Sequence, residues 1–333
     1  MFRSPKPEPT PLDGRDCVLA DLDGVVYKGA DAIPYAVESL NRAGETLRVG
    51  YITNNASRTD VSVAGHLSEL GLTVAPEDVV TSPQAAVVLL ADLIPAGSTV
   101  LVVGGEGLTV EVERAGFTVT RSADDSPAAV IQGFAQSVGW AELAEASFAL
   151  HTGIPWVATN TDWTIPVARG IAPGNGTLVS AVHTAVGRLP VVAGKPERAI
   201  FDAATARFGS TNPLVLGDRL DTDIAGANTS GMESVLVLTG IDRAKQLLAA
   251  EPKLRPTYIL RDLRELHEPY PATVVARNGT HSVRSAKVRL DGDSVVIVDA
   301  GSDETDLLRA ACSVIWSSGR AIYGLDVPES LYS

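Results

Sequence analysis

The chain is poor in cysteine: 333 residues hold two, Cys17 and Cys312, far apart in sequence. Two such thiols make neither a disulfide framework nor a metal-type spacing, so both are expected to be reduced and buried. Positive charge is also in short supply, with 27 Lys and Arg against 40 Asp and Glu and a formal net charge of −13. A nucleic-acid footprint needs a basic face, and an anionic membrane surface attracts basic segments; this balance argues against both. The same excess repels anions at long range, so an anionic substrate would need local positive groups to capture it. No run approaches the ~20 apolar residues of a membrane span. The opening MFRSPKPEPTPLDG has no apolar core of signal-peptide length, and its alternating prolines predict an extended or disordered tail over 1–14. The expectation is a cytoplasmic protein whose partner is a small molecule, with a homo-oligomer left open.

The chain does have the make-up of a soluble globular protein, 45% hydrophobic and 20% charged. Its length is more than one compact core usually holds, so two or three domains are expected. Short apolar runs alternate with amphipathic stretches. Cys17–Ala20 reads as a strand, 33–43 as a helix stopped by Gly44, Arg48–Thr53 as a strand and 58–70 as a helix ending at Gly71. Such βαβα alternation implies a parallel sheet covered by helices, in which ligands bind beyond the carboxyl ends of the strands. The pattern restarts near residue 82, with a helix over 83–93, a strand over Thr99–Val103, a helix over 108–115 and short strands at 117–119, 129–131 and 156–159. Strands at 191–193, Pro213–Gly217 and 233–238 follow. If these rejoin the first sheet, the middle unit is an insertion within a split core, tolerated where chain ends lie close together. The expected division is a core of 15–82 with 193–268, an inserted α/β cap of 83–192, and an appendage of 269–333. In the appendage, 272–277 and Ser294–Asp299 are strand-like around Asn278-Gly279 and Asp291-Gly292 turn signals. A helix over 303–316 with an acidic first turn then completes a β-β-α piece.

The residues with chemistry stand at strand ends. Val18–Tyr27 reads VLADLDGVVY, in which an apolar run stops in Asp21, with Asp23 two places on and Gly24 after it. Carboxylates ~4 Å apart at an effective dielectric of ~20 repel by about 4 kcal/mol, so something cationic is expected opposite them. Taken alone, the motif also reads as a capped strand end with solvated acids. Three further elements follow in order: Thr53-Asn54-Asn55, Gly194-Lys195-Pro196, and Gly217-Asp218-Arg219-Leu220-Asp221-Thr222-Asp223. Each has a plain reading of its own: an Asn-rich turn, a solvated lysine, and an acidic turn capping a helix that starts near Thr222. Gly104-Gly105-Glu106-Gly107 imitates a dinucleotide loop but has Val110 where the third glycine belongs. Trp140, Trp156, Trp163 and Trp316 form no stacking array.

Together, and over roughly 15–265, these four elements resemble the haloacid dehalogenase superfamily of phosphatases. The stretch NTDWTIPVARGIAPGNGTL is similar to the C2-type cap of the NagD, 4-nitrophenylphosphatase and phosphoglycolate phosphatase group, with the actinobacterial glycerol 3-phosphate phosphatases as the branch most alike. The resemblance implies a doubly wound parallel α/β core and a Mg²⁺-dependent phosphomonoesterase. Asp21 would be the nucleophile, since a carboxylate can take a phosphoryl group and pass it to water. Asp23 would be the general acid and base, with Leu22 turned into the core between them. Mg²⁺ prefers one or two carboxylates with water and phosphate oxygens; by family analogy Asp21, the Asp23 carbonyl and Asp218 would hold it. Asp223 ranks behind them, acting through water or Lys195, and Asp221 points elsewhere. Lys195 would neutralise Asp21 and the phosphate. Thr53 and the amides of Asn54 and Asn55 would bind phosphate oxygens, helped by a following helix N-terminus.

Substrate choice is expected in the cap, where 159–178 reads as a long loop pair. Arg169 and Asn175 could reach the substrate, His183 has the spacing of a helix running from Leu178 and packs, and His151 has no evident partner. Glycerol 3-phosphate is the first expectation; phosphoglycolate, a sugar phosphate and pyridoxal phosphate are the alternatives. The tail resembles a fragment of an acetyltransferase fold. Its Asp299-Ala300-Gly301-Ser302-Asp303 segment is acidic where phosphate-binding amides would be wanted, so packing, dimerisation or regulation is expected there without transfer chemistry. Two other classes stand beside the phosphatase. A dehalogenase would need neither Asp23 nor the second acid cluster, and a ligand-sensing protein would act through its C-terminal segment.

Overall fold

The computed structural model describes residues 8–167 and 169–332. The chain forms two compact units, one comprising the chain up to Val49 together with Asn212 onward, the other Gly50–Thr211. In sequence, the second interrupts the first. These breaks fall at 49/50 and 211/212. Among the described residues no helix is long and apolar enough to cross a membrane.

In the first unit, four parallel strands lie in the order Tyr258–Leu260, Glu233–Val237, Pro213–Gly217 and Cys17–Ala20. Cys17–Ala20 and Pro213–Gly217 are buried throughout, as continuous apolar runs in a parallel sheet should be. After Cys17–Ala20 a tight turn gathers the amides of Val25, Val26 and Tyr27 onto the Leu22 carbonyl. A hairpin of Tyr27–Lys28 with Asp31–Ala32 follows; strands of two residues carry no periodicity and the sequence did not reveal them. The next helix, Ala36–Gly44, starts three residues later than expected. Pro34 keeps Ile33 out of the helical region, and Tyr35 is left-handed (φ 68°).

The second unit contains a parallel sheet ordered Val191–Val192, Trp156–Ala158, Ala129–Gln132, Thr99–Val103 and Thr118–Thr120. Helices Trp140–Leu150 and Asn175–Val186 bury Ala146, Leu150, Val179 and Val182 against it. Arg48–Thr53 pairs in parallel with Val79–Thr81. The helix expected over 58–70 is Asp60–Glu69, begun by Thr59, whose hydroxyl accepts from Ser62 N–H at 3.2 Å. The stretch read as a loop pair over 159–178 is an antiparallel hairpin, Thr164–Val167 with Gly170–Pro173, running into the helix at Asn175. Pro166 and Pro173 occupy strand positions there and hide the alternation.

The α/β class and the parallel pairing are as expected. The appendage has four antiparallel strands where two were expected: Thr273–Val275, Thr280–Val283, Ala286–Asp291 and Ser294–Asp299, followed by helix Glu304–Ser317. The inner pair was missed because Arg284-Ser285 joins it, a two-residue turn without the usual Asn or Gly. This piece is not an independent layer. Val283, Val288, Leu307, Leu308 and Ile315 share one apolar cluster with Leu220, Ile224, Leu236 and Ile259 of the parallel-sheet region. Of the tail expected over 1–14, residues 1–7 lie outside the described residues. Residues 8–14 are pinned: Pro9 O accepts from Tyr270 N–H at 2.9 Å, and the Asp13 carboxylate accepts from Thr10 N–H at 2.9 Å. Both cysteines are buried and neither forms a disulfide among the described residues.

Candidate active site

Asp21 N–H donates to Leu216 O at 2.9 Å, which extends the parallel ladder one step past Ala20. Asp218 begins just beyond the neighbouring strand. Two carboxylates therefore emerge side by side at the carboxyl edge of adjacent parallel strands, where open α/β sheets bind ligands. Leu22 turns into the core, as expected, and Asp23 is exposed on the turn that follows. The third acid arrives by a different route. Leu220–Ile224 forms one wide π turn, in which Ile224 N–H reaches back to Arg219 O at 3.1 Å. It folds Asp223, fully buried, back toward the strand end, and the Asp223 carboxylate accepts from Arg219 N–H at 3.2 Å. The carboxylates of Asp21, Asp218 and Asp223 offer oxygens that all lie within 4.8 Å of one another.

The backbone is shaped around these acids. The Asp218 carboxylate accepts from Ile241 N–H at 2.7 Å and lies between two glycines. A Cβ on Gly24 or Gly240 would stand 2.2 or 1.9 Å from Asp218 Oδ2, so no larger residue fits at either position as the chain lies. Gly24 also has φ +83°, which residues with side chains rarely adopt. Asp242 ties the same loops together and was not singled out in the sequence. Its carboxylate accepts from Leu220 N–H at 2.6 Å while its own N–H donates to Asp218 O at 3.1 Å. Burial holds the Asp242 carboxyl above the usual carboxylate range, against the pull of the Leu220 hydrogen bond. Its only sequence signal is an acid shortly after a predicted strand. Asp221 points away, as expected, and pairs with the Arg219 guanidinium at 2.7 Å.

Three buried carboxylates this close repel by roughly 3–4 kcal/mol per pair at an effective dielectric of ~20. Among groups of described residues that could hold a metal, the donors here are all hard anionic oxygens, the set that suits Mg²⁺. Oxygens bound to one Mg²⁺ at about 2.1 Å can be no more than about 4.2 Å apart, a range inside the 4.8 Å that bounds the separations of these carboxylate oxygens. The residues fit a divalent cation.

The other expected residues gather in the second unit. Lys195 is buried, and its N–H donates to Asn54 Oδ1 at 2.8 Å. Asn54 Nδ2 donates to Lys195 O and to the Asp162 carboxylate, each at 3.0 Å. Asn160 Nδ2 and the Ser82 hydroxyl both donate to Asn54 O at 2.8 Å, and Thr53 Oγ1 accepts from Asn55 N–H at 3.1 Å. The Lys195–Pro196 peptide is cis. The Thr53–Asn55 and Lys195 segments are thus locked to each other through Asn54. Asn160, Asp162 and Ser82, which hold that lock, were not anticipated. Asn175 is buried at the start of its helix and donates to Asn160 O at 2.8 Å, while Arg169 lies exposed between the hairpin strands 164–167 and 170–173. His183 and His151 each make a local ring contact, with Arg188 O at 2.9 Å and Ser147 O at 2.7 Å.

Aspartates at adjacent parallel strand ends, the second followed by a wide turn that returns a third, define a hydrolase core of a known kind. Two family profiles match: haloacid dehalogenase-like hydrolase over 18–118 and a HAD-hydrolase-like profile over 192–266. The chain belongs to the haloacid dehalogenase-like hydrolases. It is 44% identical to the D-glycerol 3-phosphate phosphatase of Mycobacterium tuberculosis, over 92% of this chain and 87% of that protein. It is 34% identical to an acid sugar phosphatase of Staphylococcus haemolyticus, over 74% of this chain and 92% of that one. The crystal structure of the M. tuberculosis glycerol phosphate phosphatase in complex with magnesium superposes with a TM-score of 0.87 at 41% identity, covering 96% of this chain and 95% of the other. Residues 267–333 lie beyond both family profiles.

Proposed function

We propose that this chain is a Mg²⁺-dependent phosphomonoesterase of small phosphorylated metabolites, with glycerol 3-phosphate as its substrate. The observation that carries the chemistry is the convergence of Asp21, Asp218 and Asp223 within 4.8 Å. Support for the substrate comes from the 44% identity to a protein named for that activity. An acid sugar phosphatase at 34% keeps sugar phosphates as the second reading, ahead of phosphoglycolate and pyridoxal phosphate.

In this reading an Asp21 oxygen attacks phosphorus, the bond to the ester oxygen breaks, and Asp23 gives that oxygen a proton. Asp23, now ionised, takes a proton from water, whose oxygen attacks phosphorus and releases Asp21 and orthophosphate. Asp21, Asp218 and the Asp23 carbonyl, with Asp223 behind them, would hold the cation, whose positive charge would offset the phosphate and the aspartates. Lys195, Thr53 and the amides of Asn54 and Asn55 bind the phosphate, and Arg169 and Asn175 serve the rest of the substrate. The reading keeps 83–192 as the cap and places the enzyme among cytoplasmic metabolites. Phosphate-monoester hydrolysis requires accelerations of up to ~10²¹-fold, and positioning with charge stabilisation must supply nearly all of it. A panel of phosphate esters assayed with Mg²⁺ and with EDTA tests this. Glycerol 3-phosphate is expected to show the highest kcat/KM, and activity that survives EDTA would overturn the reading.

A further inference from the structure

A cleft of about 230 Å³ opens in the first unit between the segment 261–271 and the appendage, and none of its lining residues belongs to the aspartate cluster. It starts at the carboxyl end of strand Tyr258–Leu260, two strands along the sheet from Pro213–Gly217, so about 10 Å away at ~4.8 Å per strand. Four guanidiniums line it in a chain whose net charge is −13: Arg261, Arg264, Arg284 and Arg309.

Arg309 is the floor, and its donors are used. It is buried, bonds Ile259 O and the carboxylates of Asp306 and Glu265, and lies 4.8 Å from the centre of the Tyr270 ring. The other three are about half exposed and only partly engaged. Arg261 donates through Nε to Thr305 Oγ1 and through Nη2 to Asp303. Arg264 turns Nε and Nη2 to Asp262, and its guanidinium carbon lies 3.6 Å from the centre of the Tyr35 ring. Arg284 spends only Nη1, on Asp306 at 3.2 Å. Among the described residues, Nη1 of Arg261 and of Arg264, and Nε and Nη2 of Arg284, have no acceptor in the protein. The three carboxylates Asp262, Glu265 and Asp303 are each tied to an arginine, and Glu268 lines the cleft without one.

The backbone at Arg284 gives an independent sign. It is left-handed (φ 47°) in the two-residue loop between Val283 and Ala286, where Asn or Gly is favoured. An arginine kept in that conformation suggests a role for its side chain, since strained positions cluster at ligand sites.

We propose that this cleft binds a small hydroxylated oxyanion, a phosphate or hydroxycarboxylate. The unused guanidinium N–H groups would take the anionic oxygens, in the planar geometry arginine offers, and Glu268 would accept from a hydroxyl. The full-length protein is titrated by calorimetry with inorganic phosphate and, separately, with malate. EDTA is present throughout, so that no cation draws anions to the aspartates. One site is expected for at least one probe, and which probe binds distinguishes the phosphate class from the carboxylate class. Arg284→Gln is expected to weaken that binding at least tenfold. Arg284→Lys keeps a charge for Asp306 but loses the planar donors, and is expected to weaken it as well while thermal stability holds. Absence of binding by both probes, or binding unchanged in both variants, would overturn the proposal.

Discussion

At the scale of the residue, the site depends on where charge is placed. Asp21 continues a ladder of backbone hydrogen bonds through Leu216 O, so its carboxylate is aimed by the sheet and not by a flexible loop. Asp21→Asn keeps that amide contact and the side-chain shape but removes the proposed nucleophile. Turnover is expected to fall by ~10⁴-fold or more, as for other nucleophile losses, while the melting temperature stays within a few degrees; phosphate release at the parental rate would refute the role. Asp218→Asn leaves an oxygen for Ile241 N–H but takes one negative charge from the cluster. The Mg²⁺ concentration giving half-maximal activity is expected to rise about tenfold or more, as losses around a metal site do. The glycines are as constrained as the acids. Gly240→Ala puts a methyl where Asp218 Oδ2 lies, so kcat should drop at least tenfold with a loss of about 1–3 kcal/mol from overpacking, read by a denaturant melt alongside the assay.

At the scale of the element, legibility followed burial. The parallel strands Cys17–Ala20 and Pro213–Gly217 were plain in the sequence because strands buried on both faces are unbroken apolar runs ending in an acid. Asp21 and Asp218 stand out for that reason, while Asp223 is singled out only through the family resemblance of the Gly217–Asp223 motif. What stayed hidden depended on contacts between distant segments. Asp242 matters through Leu220, 22 positions away, and Asn160 and Asp162 matter through Asn54, more than a hundred away. The inner strands of the appendage were hidden by an arginine in a turn. That sheet carries its own titration. His281 Nδ1 lies 2.7 Å from Ser313 Oγ on the terminal helix, and burial pushes its imidazole below the usual range. Because the folded pKa is depressed, the stability it carries is present above the unfolded value of about 6.5 and is lost as pH falls toward the folded one. Melting temperature is expected to decline from pH 7 to pH 5, and His281→Gln to flatten that part of the decline; an unchanged slope would assign it to other groups.

At the scale of the whole molecule, the appendage is continuous in its packing with the parallel strands of the first unit. Leu307, Leu308, Val314 and Ile315 complete a cluster begun by Leu220, Ile224, Leu236 and Ile259. Removing everything after Pro269 would expose these partners. At about 2 kcal/mol per buried aliphatic side chain, the loss approaches the whole 5–15 kcal/mol that holds a domain folded. The truncated chain is expected to be recovered insoluble or without a cooperative melt. A soluble, active truncation would show the tail to be separable. The consequence reaches into synthesis on the ribosome. Leu331 seals the same apolar layer that Leu220 and Ile224 open on either side of Asp223, so the nascent chain cannot finish packing around that acid before residue 331 has left the ribosome.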